Sequence, residues 1–138
     1  MANIRTVTQP SAGDDGTATW AGQVYTDIGN LFSDKTLYTA SDGATITFNL
    51  NNSNIQTVTL GGNRTLALSN VTIGRPFMIR LVQDATGSRT VTWWSTIKWP
   101  GGVAPALSTT ANLIDAFMFI PTTSGIYDAY FVGFGLTS

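Results

Sequence analysis

From residue 36 onward, apolar and polar residues alternate with a period of two, the spacing that sends successive side chains to opposite faces of a β-strand. In "ATITFNL", Ile46, Phe48 and Leu50 share one face while Thr45, Thr47 and Asn49 share the other, so one sheet face is expected to be buried and one wet. "QTVTL" and "RTLALS" repeat the pattern with Val58, Leu60, Leu66 and Leu68 inward, and the intervening Gly61, Gly62 and Asn63 tolerate the positive φ of a hairpin loop. "RPFMIRLVQ" is more continuously apolar, as suits a central strand, and "QDATGS" turns it back into "RTVTWW". A Pro/Gly loop, "IKWPGGVAP", and a turn at "TTAN" precede two last strands, "LIDAFMFIP" and "GIYDAYFVGFG".

About eight short strands with turn signals between them predict an all-β domain, an antiparallel β-sandwich of jelly-roll-like character, over residues 36–138. A repeat of about 20 to 50 residues is not evident, which argues against solenoids and propellers. The first 19 residues are polar and read as an arm. In "TWAGQVYTDIGNLFSDK" the period changes, placing Trp20, Val24, Ile28, Leu31 and Phe32 on one side of a short helix with Thr19 as N-cap. Gly22 and Gly29 each cost such a helix about 1 kcal/mol, so it needs something to pack on. Residues 1–35 are therefore expected to be an arm with an amphipathic docking segment.

Composition narrows the chemistry. The chain has 138 residues, enough for one domain that buries roughly 70% of the surface its unfolded form exposes. Charged residues make up 11% of it, against a usual value of about 25%, which suits a surface buried against partners. Cysteine and histidine are absent and all 8 acidic residues are aspartate, so disulfides, thiolate or imidazole metal ligands and the commonest general bases are unavailable. No apolar run approaches the ~18 to 20 residues of a membrane span, and no leader is legible, so solubility at the place of synthesis is expected. Residues 51–100 carry Arg64, Arg75, Arg80, Arg89 and Lys98 against Asp84, while the flanking segments are acidic. Attraction within or between subunits explains that order better than nucleic acid does, because the arginines are not helix-borne and follow no nucleic-acid fingerprint.

Catalytic motifs do not survive inspection. Ser95 and Lys98 have Ser-x-x-Lys spacing, but the pair works one turn apart on a helix, and here it falls in β-like sequence. Asp14-Asp15-Gly16 and Ser41-Asp42-Gly43 read as turns, not calcium loops, and Asn51, Asn63 and Asn70 likewise as turn residues, not glycan acceptors. Asp115 and Asp128 could be imagined as a glycosidase pair, yet one outward charge per strand is the simpler reading. Trp93, Trp94, Trp99, Tyr127 and Tyr130 form the aromatic concentration. Adjacent Trp93 and Trp94 in a strand would face opposite sides, leaving Trp94, with Trp99, as a candidate exposed interface anchor or sugar platform. No catalytic, cofactor or metal-binding residue is expected.

"TVTLGGNRTLALSNVTIGRPFMIRLVQDATGSRTVTWWSTIKWPGGVAPALSTTAN", followed by "DAFMFI" and "YDAYFVGFG", resembles a β-domain that recurs in structural proteins of tailed bacteriophages, among them fibres and other virion surface components. The resemblance covers residues 57–135 and rests on "LGGNRTL", "QDATGSRTVTW" and "TTAN" in that order. It implies a noncatalytic, homotrimeric module on the phage particle, made in the host cytoplasm and bound to capsid or tail proteins. The roughly fifty residues before it include no collagen-like or coiled-coil shaft, which favours a compact appendage: a capsid decoration or a short head or tail fibre protein. The alternative is a tail fibre module that binds a host surface glycan or receptor. Neither reading requires a cofactor, nucleic acid or membrane.

Overall fold

The computed structural model describes residues 36–137, and nine strands run through them. They are β1 (Tyr38–Thr39), β2 (Thr45–Asn49), β3 (Ile55–Leu60), β4 (Arg64–Ser69), β5 (Phe77–Gln83), β6 (Val91–Thr92), β7 (Ile97–Lys98), β8 (Ile114–Thr123) and β9 (Ile126–Leu136). The all-β expectation holds, and the described residues contain only a single 3₁₀ turn at Pro100–Gly102. The candidate docking residues Trp20, Val24, Ile28, Leu31 and Phe32 lie outside the described residues.

The strand pairings correct the antiparallel expectation. A six-stranded sheet has the order β1-β3-β5-β8-β9-β7, and a three-stranded sheet the order β2-β4-β6. Through β6 the chain alternates between sheets, and every pairing among these six strands is parallel. "QTVTL" and "RTLALS" therefore form no hairpin, because β3 and β4 belong to different sheets and "GGN" carries the chain across the core. None of Gly61, Gly62 and Asn63 has positive φ. What favours a small residue at Gly61 is its neighbour, since a Cβ there would come within 2.7 Å of Asp42 Oδ2 and the side chain held by Arg64 would have to shift.

This winding resembles a short solenoid, which the absence of a legible repeat had argued against. Thr45 lies beside Thr65, and Arg64 beside Val91, so successive circuits differ in length as well as in sequence. What repeats is the register: Ile46 lies beside Leu66, Phe48 beside Leu68 and Val58 beside Leu81. These inward rows form one core with Phe77, Ile79, Phe117 and Phe119. Fully burying each such side chain contributes about 1.5–3 kcal/mol. After the parallel stack, β8 pairs antiparallel with β5 and then with β9, so the two last strands expected from the sequence form a terminal hairpin.

Two glutamines stand at inward positions in otherwise apolar rows. Gln56 is 1% exposed and donates Nε2 to the carbonyls of Asn49 (2.7 Å) and Ser53 (2.8 Å), bracing the β2–β3 crossing. Gln83 donates Nε2 to the Arg89 carbonyl (2.9 Å) and accepts the Arg89 N–H at Oε1 (2.8 Å), doing the same for the β5–β6 crossing. A crossing that passes over a core strands backbone polar groups away from water, and an inward amide satisfies them.

Candidate functional site

The three-stranded sheet cannot cover the larger one, because β6 ends at Thr92. From Trp93 to Trp99 the chain leaves it and runs to the far edge of the six-stranded sheet, where β7 pairs with β9. Indole rings cover the gap: Trp93 approaches Phe117 (5.0 Å between ring centroids) and Phe119 (5.8 Å), and Trp94 approaches Phe119 (4.8 Å). The expectation that Trp93 and Trp94 face opposite sides fails because they follow the strand instead of lying in it. Both rings reach Phe119, and both are half-buried. Trp99 is also half-buried, stacked on Phe131 at 6.1 Å.

Beyond Trp99 the aromatic wall continues onto β9 and into solvent. Tyr130, Phe131, Val132, Phe134 and Leu136 are each 41–50% exposed, and no charged residue interrupts the strand after Asp128. β7 reaches only Tyr127 and Asp128, so past that point β9 has β8 on one side and no strand on the other among the described residues. Among the described residues this leaves an unpaired, uncharged edge with five large apolar side chains, the kind of surface on which a further strand can pair.

A carboxylate fastens this strand. Asp115 is 2% exposed and accepts three hydrogen bonds, from Ser108 N (2.6 Å), Ser108 Oγ (2.7 Å) and Gly135 N (2.9 Å). It faces inward beside Leu81, correcting the outward reading of Asp115. The signal was in the sequence, since Asp115, Phe117 and Phe119 share one phase of the alternation. Asp128 does sit on the outer face, in register with Lys98. The two carboxylates are thus separated by function as well as by sheet face and form no catalytic pair.

The Gln83–Thr90 turn and the Thr109–Asn112 turn dock on each other, which brings "QDATGSRT" and "TTAN" side by side. Ser88 N donates to Thr109 O (2.7 Å), and Asn112 N donates to Gln83 O (3.2 Å). Gly87 has φ +74°, and a Cβ there would lie 2.4 Å from Thr109 O, so only glycine fits. Within the first turn Arg89 grips Asp84 through Nε and Nη2, the latter at 2.8 Å. Partial desolvation opposes the shift, but the Arg89 hydrogen bond, with help from the Gly87 and Thr86 N–H groups, holds the Asp84 carboxyl down at about 2. Arg64 likewise pairs with Asp42 at 2.7 Å and, as the largest cause, lowers its pKa. Two of the five cations in the basic stretch are thereby engaged within the domain, leaving less positive surface for a polyanion.

Ser95 and Lys98 show no nucleophile geometry. Thr96 between them has φ +65° and its Oγ1 donates to the Gly125 carbonyl, while Lys98 lies in β7. Among the described residues no three His, Cys, Asp or Glu side chains gather as a metal site, and no helix is long and apolar enough to cross a membrane.

The described residues thus form stacked parallel strands closed by a hairpin, with an aromatic wall and an apolar edge. Residues 33–117 match the family described as "Putative phage tail fibre C-terminal domain", and the chain belongs to that family. Its role is therefore that of a structural part of a bacteriophage tail fibre, in association with other proteins of the particle. The match begins just before β1 and ends inside β8, so β9 lies beyond it. No curated protein and no solved structure matches the chain.

Proposed function

We propose that this chain is a noncatalytic module of a tail fibre that assembles as a homotrimer, its copies meeting through the exposed part of β9. The observation that carries this reading is the run Tyr130, Phe131, Val132, Phe134 and Leu136 on an edge without a neighbouring strand among the described residues. Covering it removes apolar area from water and satisfies the edge backbone in one step. A closed symmetric oligomer also engages several equivalent attachment points and gains avidity without new contacts per subunit. Light scattering on the purified chain should give three times its 14.7 kDa mass, and Val132→Lys should shift it to the monomer. A monomeric wild type overturns the assembly.

Residues 1–35 serve as the docking segment onto the particle, a reading motivated by the change of period that places Trp20, Val24, Ile28, Leu31 and Phe32 on one face. Full-length chain carrying Ile28→Asp and Leu31→Asp should keep the β-domain's circular dichroism and lose incorporation into particles. Retained incorporation refutes it. The tail fibre family favours the tail over capsid decoration, so the copy number per particle should be smaller than that of the major shell protein by one or two orders of magnitude.

A second reading, host recognition by the same module, is favoured by a groove beside Trp94, at the opposite end of the aromatic wall from β9's exposed run.

A further inference from the structure

β6 pairs with β4 only at Arg64 and Thr65, so among the described residues β4 has no strand on that side from Leu66 onward. The departing segment Trp94–Thr96 and the β8–β9 turn at Gly125 stand opposite, and between them lies a groove of about 310 Å³. That volume falls at the lower end of the ~300–1,000 Å³ typical of small-molecule sites.

The lining has a definite chemistry. Leu68 and Trp94 supply apolar and aromatic surface with Leu66 and Tyr127 buried behind them, Ser95 and Thr96 supply hydroxyls, and no charged side chain takes part. The edge of β4 adds backbone groups that no strand among the described residues covers. Rings beside hydroxyls and open peptide groups match a pyranose, which has apolar C–H faces and a rim of hydroxyls. Without a cation in the lining, a uronate, sialate or phosphate gains no charge partner there.

Two further features mark the same wall. Thr96 has φ +65°, a conformation that a β-branched residue adopts only under constraint, and Tyr127 N–H donates to its carbonyl at 3.1 Å. Backbone held in this way gathers at ligand clamps. Trp94 is half-buried with its Nε1–H enclosed and unpartnered, so the ring meets the groove as apolar surface and not through its donor.

We propose that the groove between the unpaired edge of β4 and the Trp94–Thr96 segment binds a neutral pyranose unit of a surface polysaccharide. This rests on the host-recognition reading and gives that reading a location and a ligand class. At about 310 Å³ the groove has room for one sugar ring rather than for an extended peptide strand added to β4.

The test is an ¹⁵N spectrum of the full chain titrated with glucose, galactose and N-acetylglucosamine, with glucuronate and an unstructured valine-rich peptide as controls. Trp94→Phe assigns the Trp94 indole cross-peak. A saturable shift of that peak with at least one neutral sugar is expected, with affinity lowered at least tenfold in Ala67→Trp, which fills the groove from β4. Ser95→Trp, on an exposed turn, repeats the test should Ala67→Trp misfold. Sugar binding that neither variant weakens, a response to glucuronate alone, a response to the peptide alone, or no response at all overturns the groove. Pull-down on purified host polysaccharide separates the two readings. Wild type and blocked variants binding equally well would remove the groove and keep host recognition, whereas no binding by wild type would remove both.

Discussion

Gly135 donates its backbone N–H to the carboxylate of Asp115 across 2.9 Å, and the same carboxylate holds the backbone and hydroxyl of Ser108. One buried side chain thus joins the loop before β8 to the last turn of β9. That position matters because the register of β8 against β9 shifts between Ile114 and Ala116, so the pairing alone does not fix the end of the strand.

Asp115→Ala leaves two part-buried N–H groups without an acceptor and should cost about 2 kcal/mol of folding stability. Ser108→Ala, which keeps the backbone bond and removes only the hydroxyl, should cost about 1 kcal/mol. Urea midpoints of the two variants against wild type check the order, and equal losses would show that the carboxylate does not depend on its part-buried amides.

Gly87→Ala should destabilise by about 2 kcal/mol or more, combining a strained positive φ with a Cβ pressed against Thr109 O. Gly101→Ala is the control, since it has φ +71° but meets nothing within 4 Å, and should cost roughly half as much. Thermal melts of both separate the close approach from the backbone strain.

Gln83→Leu tests whether the inward amide is there for the crossing. It preserves apolar volume but orphans the Arg89 N–H and carbonyl, and should cost about 2 kcal/mol despite adding hydrophobic surface. A stabilised variant would mean that the turn finds water instead.

The Asp84–Arg89 pair makes stability depend on acid. The folded carboxyl titrates at about 2, below its ordinary 3.8, so its contribution is complete above pH 3.8 and is lost as pH falls towards 2. Asp84→Asn should flatten the urea midpoint's decline across that window while leaving the profile above pH 5 parallel to wild type. An unchanged decline would assign acid sensitivity to other carboxylates.

Much of this was legible in the residues. The alternation in "ATITFNL" correctly sent Ile46 and Phe48 inward, "RPFMIRLVQ" is indeed a central strand with neighbours on both sides, and "GIYDAYFVGFG" closes the terminal hairpin. The phage structural resemblance agrees with the family shown over residues 33–117. Period two reports which face of a strand is buried, and burial is a property of each residue's own chemistry. For the same reason the sequence alone placed Asp115 in phase with Phe117 and Phe119, although its buried role emerges only once Ser108 and Gly135 are beside it.

Which strand lies next to which was decided by the tertiary structure. A hairpin and a crossing between sheets both need small residues between two alternating runs, so "GGN" is compatible with either. The choice falls to contacts distant in sequence, Asp42 against Gly61 and Leu66 beside Ile46. Trp93 and Trp94 follow the same logic: side-chain alternation holds only while a partner strand keeps the backbone extended, and β6 ends one residue before them. The sequence determined the supply of apolar faces, turns and absent chemistry. Only the folded chain determined that the aromatic wall closes one end of the core and leaves β9 and the groove beside Trp94 open.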